Sequence, residues 1–154
     1  MIYRNLVQDE IVFYGHPNVR GNHSKSIEVT KDRTLSTRGD CIVGINADKA
    51  CNDLNPILKK FLSKPGLVMK IEITVEGLTF EMHAHTDRSL VLSDTHDLVI
   101  RKSNFICPRT VAISCDKAAS DMPRKMVHLL RNPQSKGILR LTILDSIYRE
   151  LNVS

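Results

Sequence analysis

The sequence predicts an α+β domain made of two tandem β-β-β-α-β units. A polar motif, Asp48-Lys49-Ala50, returns 68 residues later as Asp116-Lys117-Ala118, and self-similarity at a fixed offset indicates an internal repeat. Each motif follows an apolar, β-branched run and precedes an apolar stripe of helical period. These observations divide the chain into copies at about 10–77 and 78–144, followed by a tail at 145–154.

The repeat also predicts the overall shape. In the register of the motif, residues 47–65 and 115–133 are identical at six of nineteen positions. No linker rich in glycine, serine or proline separates the copies, so residues 1–154 are expected to form a single domain. We therefore predict a pseudo-two-fold barrel, or a strongly curved mixed sheet, flanked by two helices.

The first copy opens with an apolar run that stops at the turn signal Gly15-His16-Pro17-Asn18, which predicts a strand over 10–19. Later apolar or β-branched runs predict strands over 24–30, 41–46 and 67–75.

The helix of the first copy has the clearest pattern, because its apolar residues recur with a 3.6-residue period. They are Ala50, Leu54, Ile57, Leu58, Phe61 and Leu62. Pro56 fits only a first helical turn, so the regular helix should start near 53–55. Pro65-Gly66 should end it.

The second copy repeats this order. A helix is predicted over about 121–131, with Pro123 near its start as Pro56 is in the first copy. Strands are predicted over 78–83, 89–92, 97–101, 110–114 and 138–144. The tail could add a short helix or remain irregular.

Composition limits the classes of partner. The formal net charge is +5 and the pI is near 9.1, which favours acidic partners such as phosphate-bearing molecules or RNA. However, 22 basic residues are interleaved with 17 acidic ones, as on a mixed solvated surface. Only 5% of residues are aromatic and none is tryptophan. A base-stacking platform therefore has little material, and RNA is possible but not favoured.

Cysteine usage and hydropathy predict a cytoplasmic protein. The four cysteines form no C-x-x-C pair, and the chain shows no signal-peptide pattern. No apolar run approaches the roughly 20 residues needed to cross a bilayer, so no membrane partner is expected.

The repeated Asp-Lys motif has two interpretations. A helical turn exposes free N–H groups, so Lys49 and Lys117 could complete two related anion sites. Alternatively, Asp48 and Asp116 cap their helices and the lysines point to water.

The loops before the two motif strands carry further polar residues. Arginine is a bidentate partner for carboxylate or phosphate, and in a pseudo-two-fold body these loops would face each other. The predicted ligand-binding residues are Arg38, Asp40, Lys49, Arg101, Lys102, Arg109 and Lys117. The alternative is an internal Arg–Asp pair, for instance of Asp40 with Arg38 or Arg109.

The histidines give weaker signals. His16 pairs with His83 at an offset of 67, as Phe13 pairs with Phe80, and His85 shares a strand face with His83. These imidazoles are candidate metal ligands, although no metal site is predicted. His16 is also the candidate general acid or base. The alternative is that all three are ordinary hydrogen-bonded histidines.

Common enzyme signatures are absent. The chain contains no phosphate-cradling glycine-rich loop, no H-E-x-x-H and no serine nucleophile elbow. Cys41 and Cys107 lie near arginines that could lower a thiol pKa, but they also fit buried apolar thiols. No cofactor, reaction or oligomeric state follows from these patterns.

Several strings resemble an archaeal family, the domain of unknown function numbered 371, over about 10–144. They include Phe13-Tyr14-Gly15-His16-Pro17-Asn18-Val19, Arg38-Gly39-Asp40-Cys41-Ile42-Val43-Gly44, and Phe105-Ile106-Cys107-Pro108-Arg109-Thr110 with Asp116-Lys117-Ala118. The resemblance implies an archaeal, single-domain, cytoplasmic protein. It implies no reaction, cofactor or catalytic residue.

Three functional hypotheses follow. In the first, a basic cleft at the pseudo-axis binds a small anionic ligand, with phosphorylated molecules as the leading class. In the second, a broad basic surface binds RNA. In the third, the polar loops only stabilise a non-catalytic structural or interaction module.

Overall fold

The computed structural model describes residues 6–144, so the predicted tail at 145–154 lies outside the described residues. The α+β class is confirmed. Two short 3₁₀ turns, Cys51–Asp53 and Ala119–Asp121, precede the two helices. The elements in chain order are β1 (Gln8–Tyr14), β2 (Ser26–Thr30), β3 (Ile42–Gly44), α1 (Pro56–Leu62), β4 (Val68–Val75), β5 (Leu78–His85), β6 (Asp97–Arg101), β7 (Thr110–Ala112), α2 (Arg124–Leu130) and β8 (Lys136–Ile143).

The strands form two four-stranded sheets. The first sheet has the order β1-β8-β4-β5 and is antiparallel throughout, while the second has the order β3-β2-β6-β7 with parallel outer pairs. The predicted barrel is wrong, since residues 6–144 form no closed barrel, and the predicted single curved sheet is divided into two. Within residues 6–144, two isolated bridges join the edges of the two sheets, Tyr14 with Ile45 and His85 with Ile113.

One hydrophobic cluster joins both sheets and both helices. Strand β4 shows its construction most clearly, because buried and half-buried residues alternate along its whole length, as expected for a strand with one face on a core. In β2 every residue is buried. The polar residues of β2 on the outer face of the second sheet are therefore shielded from water.

The predicted position of Pro56 in the first turn of α1 is confirmed, because neighbouring residues determine where this helix begins. Pro56 occupies the first turn of α1, and the Asn55 side chain accepts hydrogen bonds from the N–H groups of Ile57 and Leu58, at 2.8 and 3.3 Å. The predicted strand at 89–92 is wrong. Leu90 and Leu92 are buried, but they reach the core from an irregular loop in which Leu92 has a φ of 53°. Buried apolar residues thus alternate at 89–92 although this segment is not a strand.

The repeated Asp-Lys motif binds the edges of the first sheet. Asp48 Oδ1 accepts a hydrogen bond from the Val12 N–H at 2.9 Å, and Lys49 Nζ donates to the Glu10 carbonyl at 3.0 Å. The Asp48 N–H also donates to the Val12 carbonyl at 3.0 Å. Lys49 additionally forms an ion pair with Asp9 at 2.6 Å. Side chains and loop backbone therefore replace a neighbouring strand along β1.

The second motif makes the same contacts on β5. Asp116 Oδ1 accepts from the His83 N–H at 2.9 Å, and Lys117 Nζ donates to the Glu81 carbonyl at 2.8 Å. The alternative that Asp48 and Asp116 cap helical turns is thus wrong. The acids that bond the first residues of the two 3₁₀ turns are instead Asp53 and Asp121. They accept hydrogen bonds from the Ala50 N–H at 3.0 Å and from the Ala118 N–H at 2.8 Å.

Replacing Asp116 should therefore weaken the sheet edge. We expect Asp116→Ala to lower the free energy of unfolding by about 1–2 kcal/mol, because it removes the acceptor of a strand N–H. Asp116→Asn should cost less, because the amide oxygen can still accept. Urea denaturation measures both. Asp32→Ala is the matched control, since the Asp32 side chain makes no hydrogen bond or ion pair within residues 6–144. An equal loss in Asp32→Ala and Asp116→Ala would contradict the edge role.

Candidate functional site

Polar side chains gather on the outer face of the second sheet. Strand β2 pairs with β6 so that Ser26 lies opposite Arg101, Glu28 opposite Val99, and Thr30 opposite Asp97. The intervening residues, Ile27, Val29, Leu98 and Ile100, belong to the hydrophobic core. Because successive side chains of a strand point to opposite faces, an acid such as Glu28 is directed away from the core.

The loop before β7 adds an arginine to this face. Arg109 Nη1 lies 3.5 Å from Glu28 Oε1 and 3.5 Å from Asp97 Oδ2. The side chains of Glu28, Asp97 and Arg109 are 5%, 21% and 44% exposed. The Glu28 carboxyl is therefore buried, while the Arg109 guanidinium reaches solvent. We call Glu28, Asp97, Arg101, Cys107, Arg109 and Thr110 the Arg109 cluster.

The Glu28 carboxyl has an unusual environment. Burial raises its pKa to about 7, and the charge of Asp97 contributes to the rise. The charge of Arg109 and a hydrogen bond from the Cys41 thiol, 3.8 Å away, lower the pKa of Glu28, but they offset only part of this rise. Near neutral pH the carboxyl is therefore divided between its charged and neutral forms, unlike an ordinary surface glutamate.

Cys107 accepts hydrogen bonds from two sides. Arg101 Nη2 lies 3.4 Å from its sulfur and Thr110 Oγ1 lies 3.6 Å away, while Arg101 Nε donates to the same Thr110 hydroxyl at 3.0 Å. Burial alone would raise the pKa of this thiol. Hydrogen bonds from Thr110, the Arg109 backbone and Arg101 outweigh burial and lower the pKa to about 7.

The other thiols of the region behave differently. Burial raises the pKa of Cys41 to about 11, and the negative charge of Glu28 adds to the effect. Burial, with Asp94, raises the pKa of Cys51 to about 12, and the Cys51 thiol donates to the Arg109 carbonyl at 3.3 Å. The predicted lowering by nearby arginine thus applies to Cys107 and is wrong for Cys41.

The structure brings together two of the predicted ligand-binding residues, Arg101 and Arg109, in the Arg109 cluster. Lys102 instead pairs with Asp121 at 3.5 Å, and Asp40 pairs with Arg20 at 3.5 Å. Internal Arg–Asp pairs therefore do form, Arg20 with Asp40 and Arg109 with Asp97, although the example of Asp40 with Arg38 or Arg109 is wrong. The Arg38 guanidinium is exposed and makes no hydrogen bond or ion pair with the described part of the chain.

Lys49 and Lys117 do not share a cleft. They bind β1 and β5, which are opposite edges of the first sheet with β8 and β4 between them. Three inter-strand spacings separate these edges by about 14 Å. The prediction that one basic cleft gathers His16 and the seven predicted ligand-binding residues is wrong for these two lysines, because each is engaged along its own edge strand.

The candidate metal ligands are also dispersed. His16 Nδ1 accepts from the Asn18 N–H at 3.0 Å, while His83 lies 3.6 Å from Glu81 and 4.0 Å from Asp116. On β1 it is Val12 that makes the contacts made by His83 on β5, because the N–H of each donates to the carboxylate of a motif aspartate and the carbonyl of each accepts from the N–H of that aspartate. The predicted pairing of His16 with His83 is therefore wrong. Across 6–144, no three or more histidine, cysteine or acidic side chains are arranged to hold a metal.

Sequence reasoning missed Glu28 and Asp97. A usable signal was present, because Glu28 is an acid flanked by Ile27 and Val29 inside a short strand. Nothing local, however, indicated that the loops before β3 and β7 would cover it.

None of the described helices is long and apolar enough to cross a membrane.

Comparison with known proteins gives a family without an assigned reaction. The family model described as "Domain of unknown function (DUF371)" matches residues 11–144. An uncharacterised protein of the archaeon Methanocaldococcus jannaschii is 39% identical over 117 residues, which cover 76% of this chain and 86% of that relative. The resemblance predicted from the polar strings is thereby confirmed, and the chain belongs to the DUF371 family.

Proposed function

We propose that the protein binds a small anionic ligand, with phosphorylated molecules as the leading class, at the Arg109 cluster. The observation that carries the proposal is that two guanidinium groups belong to the Arg109 cluster, that of Arg101 bonded to Thr110 and Cys107 and that of Arg109 beside Glu28 and Asp97. Arginine presents five N–H donors in a planar fork suited to carboxylate and phosphate oxygens.

Arg109 retains unused donor capacity. Its two ion-pair contacts, to Glu28 and Asp97, are both 3.5 Å and come from the same nitrogen. Charge-assisted hydrogen bonds are usually about 2.7–2.9 Å long. A ligand oxyanion could therefore make shorter bonds to this half-exposed guanidinium than its present partners do.

We also propose that the two halves arose by duplication and are related by a pseudo-two-fold axis. The sheet orders support this, since exchanging β1–β4 with β5–β8 leaves both unchanged. Corresponding hydrogen bonds also support it: Glu28 N–H donates to the Cys41 carbonyl, and Val99 N–H donates to the Arg109 carbonyl, each at 2.8 Å. On this proposal the axis passes between β2 and β6 at the Glu28–Val99 pair.

The Arg109 cluster would then lie on the axis but break its symmetry. Glu28 corresponds to Val99, Arg109 to Cys41, and Cys107 to Gly39. The duplicated framework thus offers one polar site rather than two. The alternative of RNA binding over a broad basic surface has less support, since Lys49, Lys102 and Lys117 each have an internal partner.

The proposal predicts that oxyanions bind at Arg109. Isothermal titration with sulfate and with inorganic phosphate should detect binding to the wild-type protein. Arg109→Met should weaken it by at least about tenfold, because a charged hydrogen bond contributes about 1.5–3 kcal/mol, and Arg101→Met should weaken it as well.

Arg88→Met is the matched control, since Arg88 is exposed, makes no hydrogen bond or ion pair with the described residues, and lies outside the Arg109 cluster. It should bind like the wild type. Circular dichroism would verify that each variant is folded. Absence of oxyanion binding to the wild type, or equal binding by Arg109→Met and the wild type, would overturn the proposal.

A further inference from the structure

Glu28 and Arg109 differ in their exposure to solvent, and this difference decides the side from which an anion can reach Arg109. The Glu28 side chain is 5% exposed, whereas that of Arg109 is 44% exposed. A ligand approaching from solvent would therefore meet the guanidinium on its open side. Glu28 would remain behind the guanidinium, on the sheet face.

The charged and titratable groups around Glu28 come from three elements. Arg109 extends from the loop before β7, Asp97 and Arg101 lie on β6, and the Cys41 thiol extends from the loop before β3. Of the two carboxylates beside Arg109, only Glu28 is buried. The side chain of Asp97 is 21% exposed, so its carboxylate contacts Arg109 closer to solvent than that of Glu28 does.

A bound oxyanion would change this balance. It would draw the positive charge of Arg109 toward itself and add a negative charge near Glu28 and Asp97. A buried carboxylate that shares its cation with a second anion is strongly disfavoured, and a carboxyl group in that position gains a proton.

We propose that binding of an oxyanion at Arg109 is coupled to the uptake of one proton by Glu28, because the ligand takes over the cation that balances this buried carboxylate. The inference rests on the proposed anion site and specifies how that site is regulated. The pKa of Glu28, raised by burial to about 7, supports it, since the proton is available at neutral pH.

The coupling has a defined pH dependence. Below pH 7 Glu28 is mainly protonated before the ligand arrives, so affinity should change little with pH. Above pH 7 Glu28 must take up a proton from solvent whenever an anion binds. The affinity for the anion should therefore fall by about tenfold per pH unit. By reciprocity, the ligand raises the pKa of Glu28.

Cys107 is the group that could produce the same signal. Its thiol also has a pKa of about 7, and it accepts a hydrogen bond from Arg101. The test must therefore separate the two groups. Glu28→Gln replaces the acid with a neutral group of the same shape, which resembles protonated glutamate. Cys107→Ser removes the thiol and keeps a small hydroxyl side chain.

Sulfate is the appropriate probe, because it does not change its own protonation near neutral pH. Titration calorimetry at pH 7.5 in two buffers of different ionisation enthalpy counts the protons taken up. We expect about 0.5–1 proton per sulfate for the wild type and for Cys107→Ser, and none for Glu28→Gln. Glu28→Gln at pH 8 should bind sulfate as tightly as the wild type does at pH 6.

The outcomes distinguish this inference from the anion site itself. If the wild type binds no sulfate, both proposals fail. If it binds sulfate at Arg109 without taking up a proton, the anion site stands and the coupling is wrong. If proton uptake persists in Glu28→Gln or disappears in Cys107→Ser, Glu28 is not the acceptor.

Discussion

Gly137→Ala should destabilise the protein by about 3 kcal/mol, because no space exists for a methyl group beside Phe13. Gly137 on β8 is the direct partner of Phe13 on β1, and Gly44 approaches the same ring from the end of β3. A Cβ atom on either glycine would overlap ring atoms of Phe13, which is fully buried. The ring cannot turn away without disturbing a core packed at crystal-like density.

A double mutant tests this steric explanation. Phe13→Leu alone should be destabilising, since it leaves a cavity. Combined with Gly137→Ala it should cost clearly less than the two separate losses, because the smaller side chain makes room for the methyl group. Urea denaturation of the two single variants and the double variant provides the comparison. Strict additivity, or a Gly137→Ala variant as stable as the wild type, would contradict the proposed clash.

The free energy of unfolding should fall by about 3 kcal/mol as pH rises from 4.5 to above 7, through Glu28 alone. The folded-state pKa of Glu28 is about 7, against 4.5 as its ordinary value. Between these values the folded state holds more protons than the unfolded state, so stability decreases with rising pH. The contribution is fully present below pH 4.5 and lost above pH 7.

Other shifted groups act outside this window. Hydrogen bonds from Lys31 and the Ala50 backbone lower the pKa of Asp53, and a hydrogen bond from the Ala118 backbone lowers that of Asp121. The stability that these two contribute is lost only below about pH 4. The lowered pKa of Cys107 adds stability as pH rises from about 7 to 9.

Glu28→Gln should remove the decrease between pH 4.5 and 7, because the variant has no titrating group at this position. Stability measured by urea denaturation at half-unit pH steps would reveal the difference from wild type. Glu76→Gln is the matched control, since Glu76 is exposed in the turn between β4 and β5, and its curve should follow the wild type. Parallel curves for Glu28→Gln and wild type would refute the buried-acid interpretation.

The accuracy of the sequence predictions depended on how local the determining interactions are. The Pro56 first turn and the buried positions Leu58 and Leu62 of α1 were predictable because residues a few positions apart decide them, whereas Ile57, also assigned to the apolar stripe, is 61% exposed. The strand prediction at 89–92 failed because burial of Leu90 and Leu92 depends on tertiary packing. A single offset also failed to align the two halves of the chain. The segment between β2 and β3 is three residues longer than that between β6 and β7, so β1 and β2 align with β5 and β6 at an offset of 71 residues, whereas the later elements align at 68.

The candidate site was predictable only in part for a related reason. Arg101 ends β6 and Arg109 lies in the polar loop that follows it, and the polar composition of this stretch is visible in the sequence. The importance of Glu28 arises from burial under loops that are distant along the chain. Lys49 and Lys117 were misinterpreted because spacing reveals that a motif recurs, but not which strand edge it contacts.

The Asp-Lys motifs also affect how copies of the protein can meet. An edge strand normally offers a row of free N–H and C=O groups that can recruit a strand from another molecule. Along β1 and β5 these outward groups are already bonded at Val12 and Tyr14 and at His83 and His85. Intermolecular extension of the first sheet, including amyloid-like stacking, would first have to break these bonds. Strand addition at the β1 and β5 edges is therefore disfavoured.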